Sequence, residues 1–467
     1  MAKGRFEAKG GAPTITGLII LVVLLGAVAA GVTALWNGLR KPAPAPEEPA
    51  DRGAVMQEQT QETKEPKKTK KKSKKQLEEE QRQAEEAAAR EAEEAELRRK
   101  EQRRDELMAE ARNLRDGYYY DKALTLLSTC PVPNDETQKL IADIRNRKDS
   151  LVKYEGDQYY HIFFHSLIAD PAKAFDGDYD SDGYDLYMTT VSEFKAMLPL
   201  LEEAGFILYD ITDMVKFVDG QAVMQDIYLP EGKKPLVLSI DDVNYYEYMS
   251  GDGFAERMDV DAEGNIVTVV DGVPTYDGDV MPILDQYVKE HPAFSWQGAK
   301  GIVAITGYEG AFGYRITDLE MFDEKTQKWM LEKTQTVAKA LRDTGWQIAC
   351  HSYTHNNYWG NLSITMDQEQ YDIGRWLRDI APYVGGSNIF IAPFGVSFGS
   401  EDSRFRYLVD NGFNIYCSVD SAMPCYVRDD FFLQGRLNLD GLVMKQYPGR
   451  ISRFFFDPAE VLDPARP

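Results

Sequence analysis

From about residue 157 to residue 457, short apolar runs alternate with amphipathic segments, and this alternation restricts the fold more than any other feature. Short apolar runs between chain breakers are typical of buried strands, and periodic apolar residues closing on glycine are typical of helices. Strands are predicted at YYHIFFHSLI, KPLVLSI, GIVAITG, WQIAC, NIFIAPFG, FNIYCSV and GLVMK. Helices are predicted at TVSEFKAMLPLLEEAG, VMPILDQYVKEH, TQKWMLEKTQTVAKALRDTG, MDQEQYDIGRWLRDIAPYVG and SRFRYLVDNG. This order predicts an α/β fold, either a parallel (β/α) barrel or a doubly wound sheet, with its chemistry at the carboxyl ends of the strands.

The amino terminus has the composition of a membrane anchor. No charged residue occurs between residues 10 and 39, and about 20 apolar residues are enough to cross a bilayer. We therefore predict a transmembrane signal anchor at 13–36. Basic residues within 1–12 favour a cytoplasmic tail, so the rest of the chain would be extracytoplasmic. A cleaved signal peptide is the alternative, but its apolar segment is usually shorter.

Three further segments separate the anchor from the α/β region. Residues 37–75 are rich in proline and then in lysine, which predicts a linker. Residues 76–104 consist almost entirely of strong helix formers without an apolar seam, which favours a solvated helical stalk over a coiled-coil dimer. Residues 105–155 predict a tetratricopeptide-like helical hairpin that packs on its neighbour, the domain at 157–457.

Charge and cysteine content exclude some classes of protein. A formal net charge of −23 argues against a nucleic-acid binder, which would need a basic face. The four cysteines, Cys130, Cys350, Cys417 and Cys425, are too few for a disulfide scaffold. They are expected to be free thiols, although a bridge between Cys417 and Cys425 stays possible in an oxidising compartment.

Two acidic and two imidazole side chains follow predicted strands. Asp241 and Asp242 come directly after LVLSI, and His351 and His355 follow WQIAC four residues apart. Alone, the acidic pair could cap a helix, and the histidines could be ordinary hydrogen-bonded loop residues. Together at strand ends, they predict a site in which two imidazoles and one carboxylate hold a metal ion. The second carboxylate is then left over as a base.

These stretches resemble motifs of the metal-dependent polysaccharide deacetylases of carbohydrate esterase family 4. SIDD at 239–242 is similar to the family's T-F-D-D strand end, and HSYTH at 351–355 matches its H-[ST]-x-x-H motif. PFG at 393–395 is similar to its Pro-x-Gly turn. IFFHSLI at 162–168 and the helix at 190–206 resemble the start of the poly-N-acetylglucosamine deacetylase branch.

The resemblance covers most of residues 157–450 and implies a distorted (β/α) barrel of the polysaccharide deacetylase type. It assigns Asp241 as the general base that takes a proton from the attacking water. It assigns Asp242, His351 and His355 as ligands of a divalent cation, most often zinc, with Co²⁺, Ni²⁺ or Mn²⁺ as alternatives.

The sequence departs from the family pattern at two positions. Ile391 stands where the family often has an arginine that orients the base, and no histidine follows His355 to protonate the leaving amine. His165 is a candidate replacement for that acid, although a buried histidine bonded to a backbone carbonyl is an equal alternative. Arg436 and Asp440 are candidates for supporting roles.

A second group of residues is expected to contact substrate. Tyr245 follows the acidic pair and could line a sugar groove, although packing in the core is the ordinary alternative. The expected substrate-binding residues are Tyr245, Pro393, Phe394, Gly395 and Arg436.

The expected function is that of a membrane-anchored, extracytoplasmic deacetylase acting on N-acetyl groups of an envelope polysaccharide. Peptidoglycan, poly-N-acetylglucosamine and an O-acetyl ester are not distinguished, and any protein partner of the stalk is undetermined. The alternative is a polysaccharide-binding or scaffold protein that keeps the barrel without turnover. The two departures from the family pattern motivate this alternative.

Overall fold

The computed structural model describes residues 72–467 of the 467-residue chain. The predicted cytoplasmic tail and membrane anchor, and nearly all of the linker, lie outside these residues. Among residues 72–467, no helix combines the length and the apolar character that a membrane span requires. Of the two units into which the chain divides, the second, Gln81–Pro467, contains the barrel and the candidate site.

Helices occupy much of the surface of the second unit. The described α-helices are α1 Lys74–Asp116, α2 Tyr120–Ser128, α3 Asp135–Asp149, α4 Pro171–Ala174, α5 Ser181–Tyr187, α6 Val191–Glu203, α7 Val280–Glu290, α8 Glu324–Asp343, α9 Asn357–Gly360, α10 Met366–Asp379, α11 Ala381–Val384, α12 Ser403–Asp410, α13 Gly441–Gln446 and α14 Pro448–Ser452.

Strands alternate with these helices. The described strands are β1 Val152–Lys153, β2 Tyr160–Phe164, β3 Phe206–Leu208, β4 Val215–Val218, β5 Gln221–Met224, β6 Tyr228–Leu229, β7 Lys234–Ile240, β8 Arg257–Val260, β9 Ile266–Val270, β10 Val273–Thr275, β11 Ile302–Ile305, β12 Gln347–Cys350, β13 Ile389–Ile391, β14 Ile415–Val419, β15 Cys425–Arg428 and β16 Phe431–Asn438.

Seven parallel strands close into a barrel. Their order is β2, β7, β11, β12, β13, β14 and β16, and β16 pairs again with β2. Strand β3 pairs in parallel with residues 234–236 of β7, ahead of the part of β7 that pairs with β11, and β15 pairs with β16 antiparallel. The prediction of a parallel α/β barrel is therefore confirmed, and the alternative of an open, doubly wound sheet is wrong. Because all seven strands run the same way, their carboxyl ends meet at one rim.

The sequence prediction for the last strand is wrong. GLVMK was expected to be a strand, but residues 441–446 form helix α13, which Asp440 caps by accepting a hydrogen bond from the Val443 amide at 2.9 Å. The strand that closes the barrel is β16, FFLQGRLN. Its polar residues Gln434 and Arg436 are fully buried among polar partners, so the sequence lacks the continuous apolar pattern of a buried strand.

In most barrel strands, alternate residues belong to two different cores. In β11, Val303 and Ile305 pack with the flanking helices, whereas Ile302 and Ala304 belong to the cluster inside the barrel. This inner cluster also contains apolar residues of the amino-terminal helices α1, α2 and α3, among them Ala111, Ala123 and Ile144. These helices therefore cover the amino-terminal end of the barrel, opposite the rim where the strands end.

The helices α1 to α3 are tied to the barrel by aromatic contacts. Tyr118 stacks on Trp296 with ring centroids 4.9 Å apart, and its hydroxyl donates a hydrogen bond to the Ala293 carbonyl at 2.8 Å. Helix α1 runs through the predicted boundary at residue 104 without interruption, and no residue of this helix before Leu107 is buried. Its charged part is therefore an exposed helix, while its carboxyl-terminal end is part of the barrel's core.

Candidate active site

The four residues of the predicted metal site meet at the carboxyl rim of the barrel. Asp241 and Asp242 follow β7 directly, and His351 follows β12 directly, with His355 one loop turn further on. The ligand atoms of Asp242, His351 and His355 all lie within 4.8 Å of one another. Two imidazoles and one carboxylate are a donor set that zinc accepts while keeping a coordination position for water. The prediction that these three residues form a possible metal-binding triad is confirmed.

Hydrogen bonds orient two of the three ligands. His351 Nδ1 donates to the Ile391 carbonyl oxygen at 2.8 Å, which leaves Nε2 free to bind a cation. The Tyr246 hydroxyl donates to Asp242 Oδ1 at 2.7 Å. Ile391 thus contributes its backbone carbonyl to the site.

Burial and charge set the protonation states of these ligands. Burial lowers the pKa of His351, so its imidazole is neutral and able to act as a ligand at neutral pH. Burial alone would raise the pKa of Asp242, but the nearby histidines and the Tyr246 hydrogen bond hold the pKa at about 2. The carboxylate is therefore ionised, as a metal ligand must be.

A buried acid on helix α10 holds the histidine loop in place. Asp372 is fully buried and accepts hydrogen bonds from the Tyr353 amide, the Thr354 amide at 3.1 Å and the Thr354 hydroxyl. It also accepts a hydrogen bond from the Trp359 indole at 3.3 Å. Sequence reasoning missed Asp372, because an acid inside a predicted amphipathic helix looks like an ordinary surface residue.

The loops that carry the ligands have strained backbone. Asp242, Ser352 and His355 have φ values of +58°, +63° and +43°, a region that residues other than glycine rarely adopt. Phe394, beside His355, has a φ of +56°. Strain of this kind persists where the surrounding contacts fix the conformation, and it concentrates at functional sites.

Asp241 lies beside the triad but is not part of it, and its carboxylate forms an ion pair with Arg436. The guanidinium nitrogens Nη1 and Nη2 donate to the two carboxylate oxygens at 2.7 and 3.0 Å, and the arginine is fully buried. Burial would raise the pKa of Asp241, but Arg436 and the neighbouring His351 lower it below its usual value. The prediction that Arg436 contacts substrate is wrong, because its side chain lies beneath Asp241 and is closed off from solvent.

A chain of buried polar groups continues below this ion pair. Arg436 Nη1 also donates to Ser239 Oγ at 3.0 Å, and the Ser239 hydroxyl lies 2.9 Å from His161 Nε2. His161 Nδ1 lies 3.2 Å from the amide oxygen of Gln434. Burial lowers the pKa of His161 well below its usual value, so the ring is neutral. These groups fix the position of the arginine from inside the barrel.

A cavity of about 510 Å³ opens beside the four site residues. His165, half-buried and directly after β2, lines this cavity together with Asp440. Burial raises the pKa of Asp440. Sequence reasoning did not identify the other polar and apolar residues of the wall, which are Phe163, Tyr187, Met188, Val419 and Asn438.

The remaining predicted substrate-binding residues divide into two groups. Phe394 and Gly395 line the cavity, and the Phe394 ring lies 4.4 Å from the His355 ring between centroids. Pro393 and Tyr245 are buried and do not line it, so the expectation that they contact substrate there is wrong. The Tyr245 hydroxyl instead donates to Asp279 at 2.8 Å within the core.

No protein-family model matches the chain, and no curated protein matches it significantly.

Proposed function

We propose that this protein is a metal-dependent deacetylase that hydrolyses N-acetyl groups of a cell-envelope polysaccharide to an amine and acetate. One observation supports the proposal above all others. A triad of Asp242, His351 and His355 shares a rim with a separate, ionised carboxylate, Asp241, which an arginine holds in place. A metal-binding set next to an unliganded base is the arrangement that metal-assisted hydrolysis requires.

The donor set and its surroundings fit zinc. The ligands are two imidazoles and one ionised carboxylate, and the His351 ring is oriented by a backbone carbonyl. A bound divalent cation would polarise the acetyl carbonyl and lower the pKa of water toward about 7. The chain's own residues then have to supply the proton transfers.

Asp241 is the proposed general base. Its Oδ2 atom lies 4.0 Å from His351 Nε2, so the carboxylate lies next to the atoms that would hold the cation. The paired guanidinium keeps the carboxylate ionised and fixes its orientation. Each oxygen retains a lone pair that can accept a proton from the attacking water.

His165 is the proposed general acid for the leaving amine. It lines the same cavity as Asp241 and comes from the neighbouring strand, β2. Asp440 lines the cavity as well and interacts electrostatically with His165. Asp440 is therefore the proposed residue that positions His165.

The alternative of a scaffold without turnover is weakened by Arg436. That alternative depended partly on the missing arginine at position 391, yet a buried arginine from β16 makes the contact with the base. The proposed location, extracytoplasmic and anchored by residues 13–36, depends on the sequence alone.

Acetate release by the zinc-loaded full chain tests this proposal. N-acetylglucosamine oligomers are the first substrates to use. We expect Asp241→Asn to lower kcat by about 100-fold or more, because a positioned base contributes roughly 10²–10⁴-fold. Bound zinc should be retained, and the exposed Asp367→Asn variant serves as the matched control. Turnover by Asp241→Asn at the wild-type rate would show that Asp241 is not the base.

A further inference from the structure

A second cavity lies on the other side of the metal-binding triad. Its volume is about 460 Å³, and Asp242 and His355 line both this cavity and the first one. Both volumes fall within the range of about 300–1,000 Å³ that is usual for small-molecule sites. A ligand held at Asp242 and His355 can therefore extend in two directions along the rim.

Two exposed tyrosines line the second cavity. The side chains of Tyr248 and Tyr308 are 54% and 53% exposed. Both pack on the buried Tyr246 ring, each with centroids 5.7 Å from it, and the Tyr248 ring is nearly parallel to it at 15°. Tyr246 donates its hydroxyl to Asp242, so the aromatic group is fixed relative to a metal ligand.

The remaining lining of this cavity is polar and uncharged apart from the two ligands. It consists of Thr354, Asn356 and Asn357 beside the tyrosines. Asn356 is exposed, and its side chain makes no capping hydrogen bond to helix α9, which follows it. Amide groups and tyrosine rings together suit a sugar, which offers hydroxyl groups at its edge and C–H groups on its face. Apart from Asp242 and His355, this lining has no charged side chain that would select a phosphate or a charged peptide.

We propose that Tyr248 and Tyr308 form a subsite for a pyranose unit next to the one that is deacetylated. The enzyme then acts on units within a chain and prefers oligomers to single sugars. This inference rests on the proposed function, because it takes the first cavity as the place of the reacting sugar.

The test compares the full-length, zinc-loaded protein with Tyr248→Ala/Tyr308→Ala on N-acetylglucosamine and its tetramer. In the wild type, kcat/KM should be higher for the tetramer than for the monomer. The double variant should lower the tetramer-to-monomer ratio of kcat/KM roughly tenfold, a loss of the size that two aromatic contacts give. Tyr248→Phe/Tyr308→Phe keeps the rings and should retain most of the ratio. Tyr371→Ala, which removes an equally exposed tyrosine on α10, is the control and should leave the ratio unchanged.

The outcomes separate this inference from the proposed function. An unchanged ratio in the double alanine variant overturns the subsite, while acetate release by the wild type keeps the proposed function. If the wild type releases no acetate from either sugar, the proposed function is what fails. Calorimetric binding of the tetramer to the metal-free protein then decides the subsite. Weaker binding by the double alanine variant supports it, and equal or absent binding in both proteins overturns it.

Discussion

At the scale of single residues, a fully buried arginine, Arg436, holds the Asp241 carboxylate with two hydrogen bonds. The arginine expected at position 391 is an isoleucine, and an arginine from a different strand reaches the same carboxylate. Its guanidinium also lies 4.2 Å above the Phe163 ring, where a cation–π contact replaces part of the lost hydration. The chain therefore supplies a cationic partner for Asp241 from β16, although position 391 holds an isoleucine.

The role of His165 leads to a prediction at the same scale. If His165 protonates the leaving amine, His165→Ala should lower kcat for an N-acetylated sugar by about 100-fold. The same variant should lose much less activity on an aryl acetate ester, because its leaving group departs without a proton. Rates on the two substrates should be measured for both proteins. Equal losses on the amide and the ester would contradict the role of a general acid.

At the scale of elements, buried aspartates at or within helices accept hydrogen bonds from the loops at the rim. Asp279 caps helix α7 through the Val280 amide at 2.7 Å and accepts a hydrogen bond from the Leu167 amide at 3.1 Å. The Tyr245 hydroxyl binds its second oxygen. Asp372, on helix α10, accepts a hydrogen bond from the Thr354 amide in the histidine loop. Each acid connects a helix to a loop that carries or adjoins a site residue.

Asp279 should make the stability of the protein depend on pH. Burial raises the pKa of Asp279 to about 6, so folding favours its protonated form. Its contribution to stability is fully present below the unfolded pKa of about 3.9 and is lost as the pH rises through about 6. Asp279→Asn does not titrate; its amide oxygen can still accept from the Leu167 and Val280 amides, and its NH2 group can donate to the Tyr245 hydroxyl. This variant should gain about 2–3 kcal/mol relative to the wild type between pH 4 and pH 7.

Denaturant unfolding at a series of pH values measures this difference. The exposed Asp277→Asn variant is the matched control, and its stability should follow the wild-type profile. Parallel profiles for the wild type and Asp279→Asn would contradict the assignment of a raised pKa to Asp279.

The same elements show what the sequence could and could not predict. Alternating strands and helices, and acids and histidines at strand ends, are local patterns, so the barrel and the triad were predictable. The pairing of Arg436 with Asp241 depends on which strands become neighbours when the barrel closes, and no local pattern contains that information. GLVMK was misassigned because a short apolar run fits a strand or a buried helix equally well.

At the scale of the whole molecule, the amino-terminal helices and the barrel share one core. Tyr118→Ala should therefore lower the free energy of unfolding of the barrel itself, by about 3–5 kcal/mol, as other losses of large buried aromatic side chains do. The fully buried barrel tryptophans Trp346, Trp359 and Trp376 report this unfolding through their fluorescence. Tyr447→Ala removes a half-exposed ring and should have little effect. An unchanged unfolding midpoint for Tyr118→Ala would mean that the helices and the barrel are energetically independent.

Metal content of the purified full-length protein tests the central claim most directly. The comparison requires the wild type, His351→Ala/His355→Ala, and His291→Ala as a control for the loss of a histidine away from the triad. After zinc is supplied and excess removed, we expect about one ion per chain in the wild type and the control, and little in the double variant. No bound metal in the wild type, or equal metal in the double variant, would contradict the assignment of Asp242, His351 and His355 as a metal site.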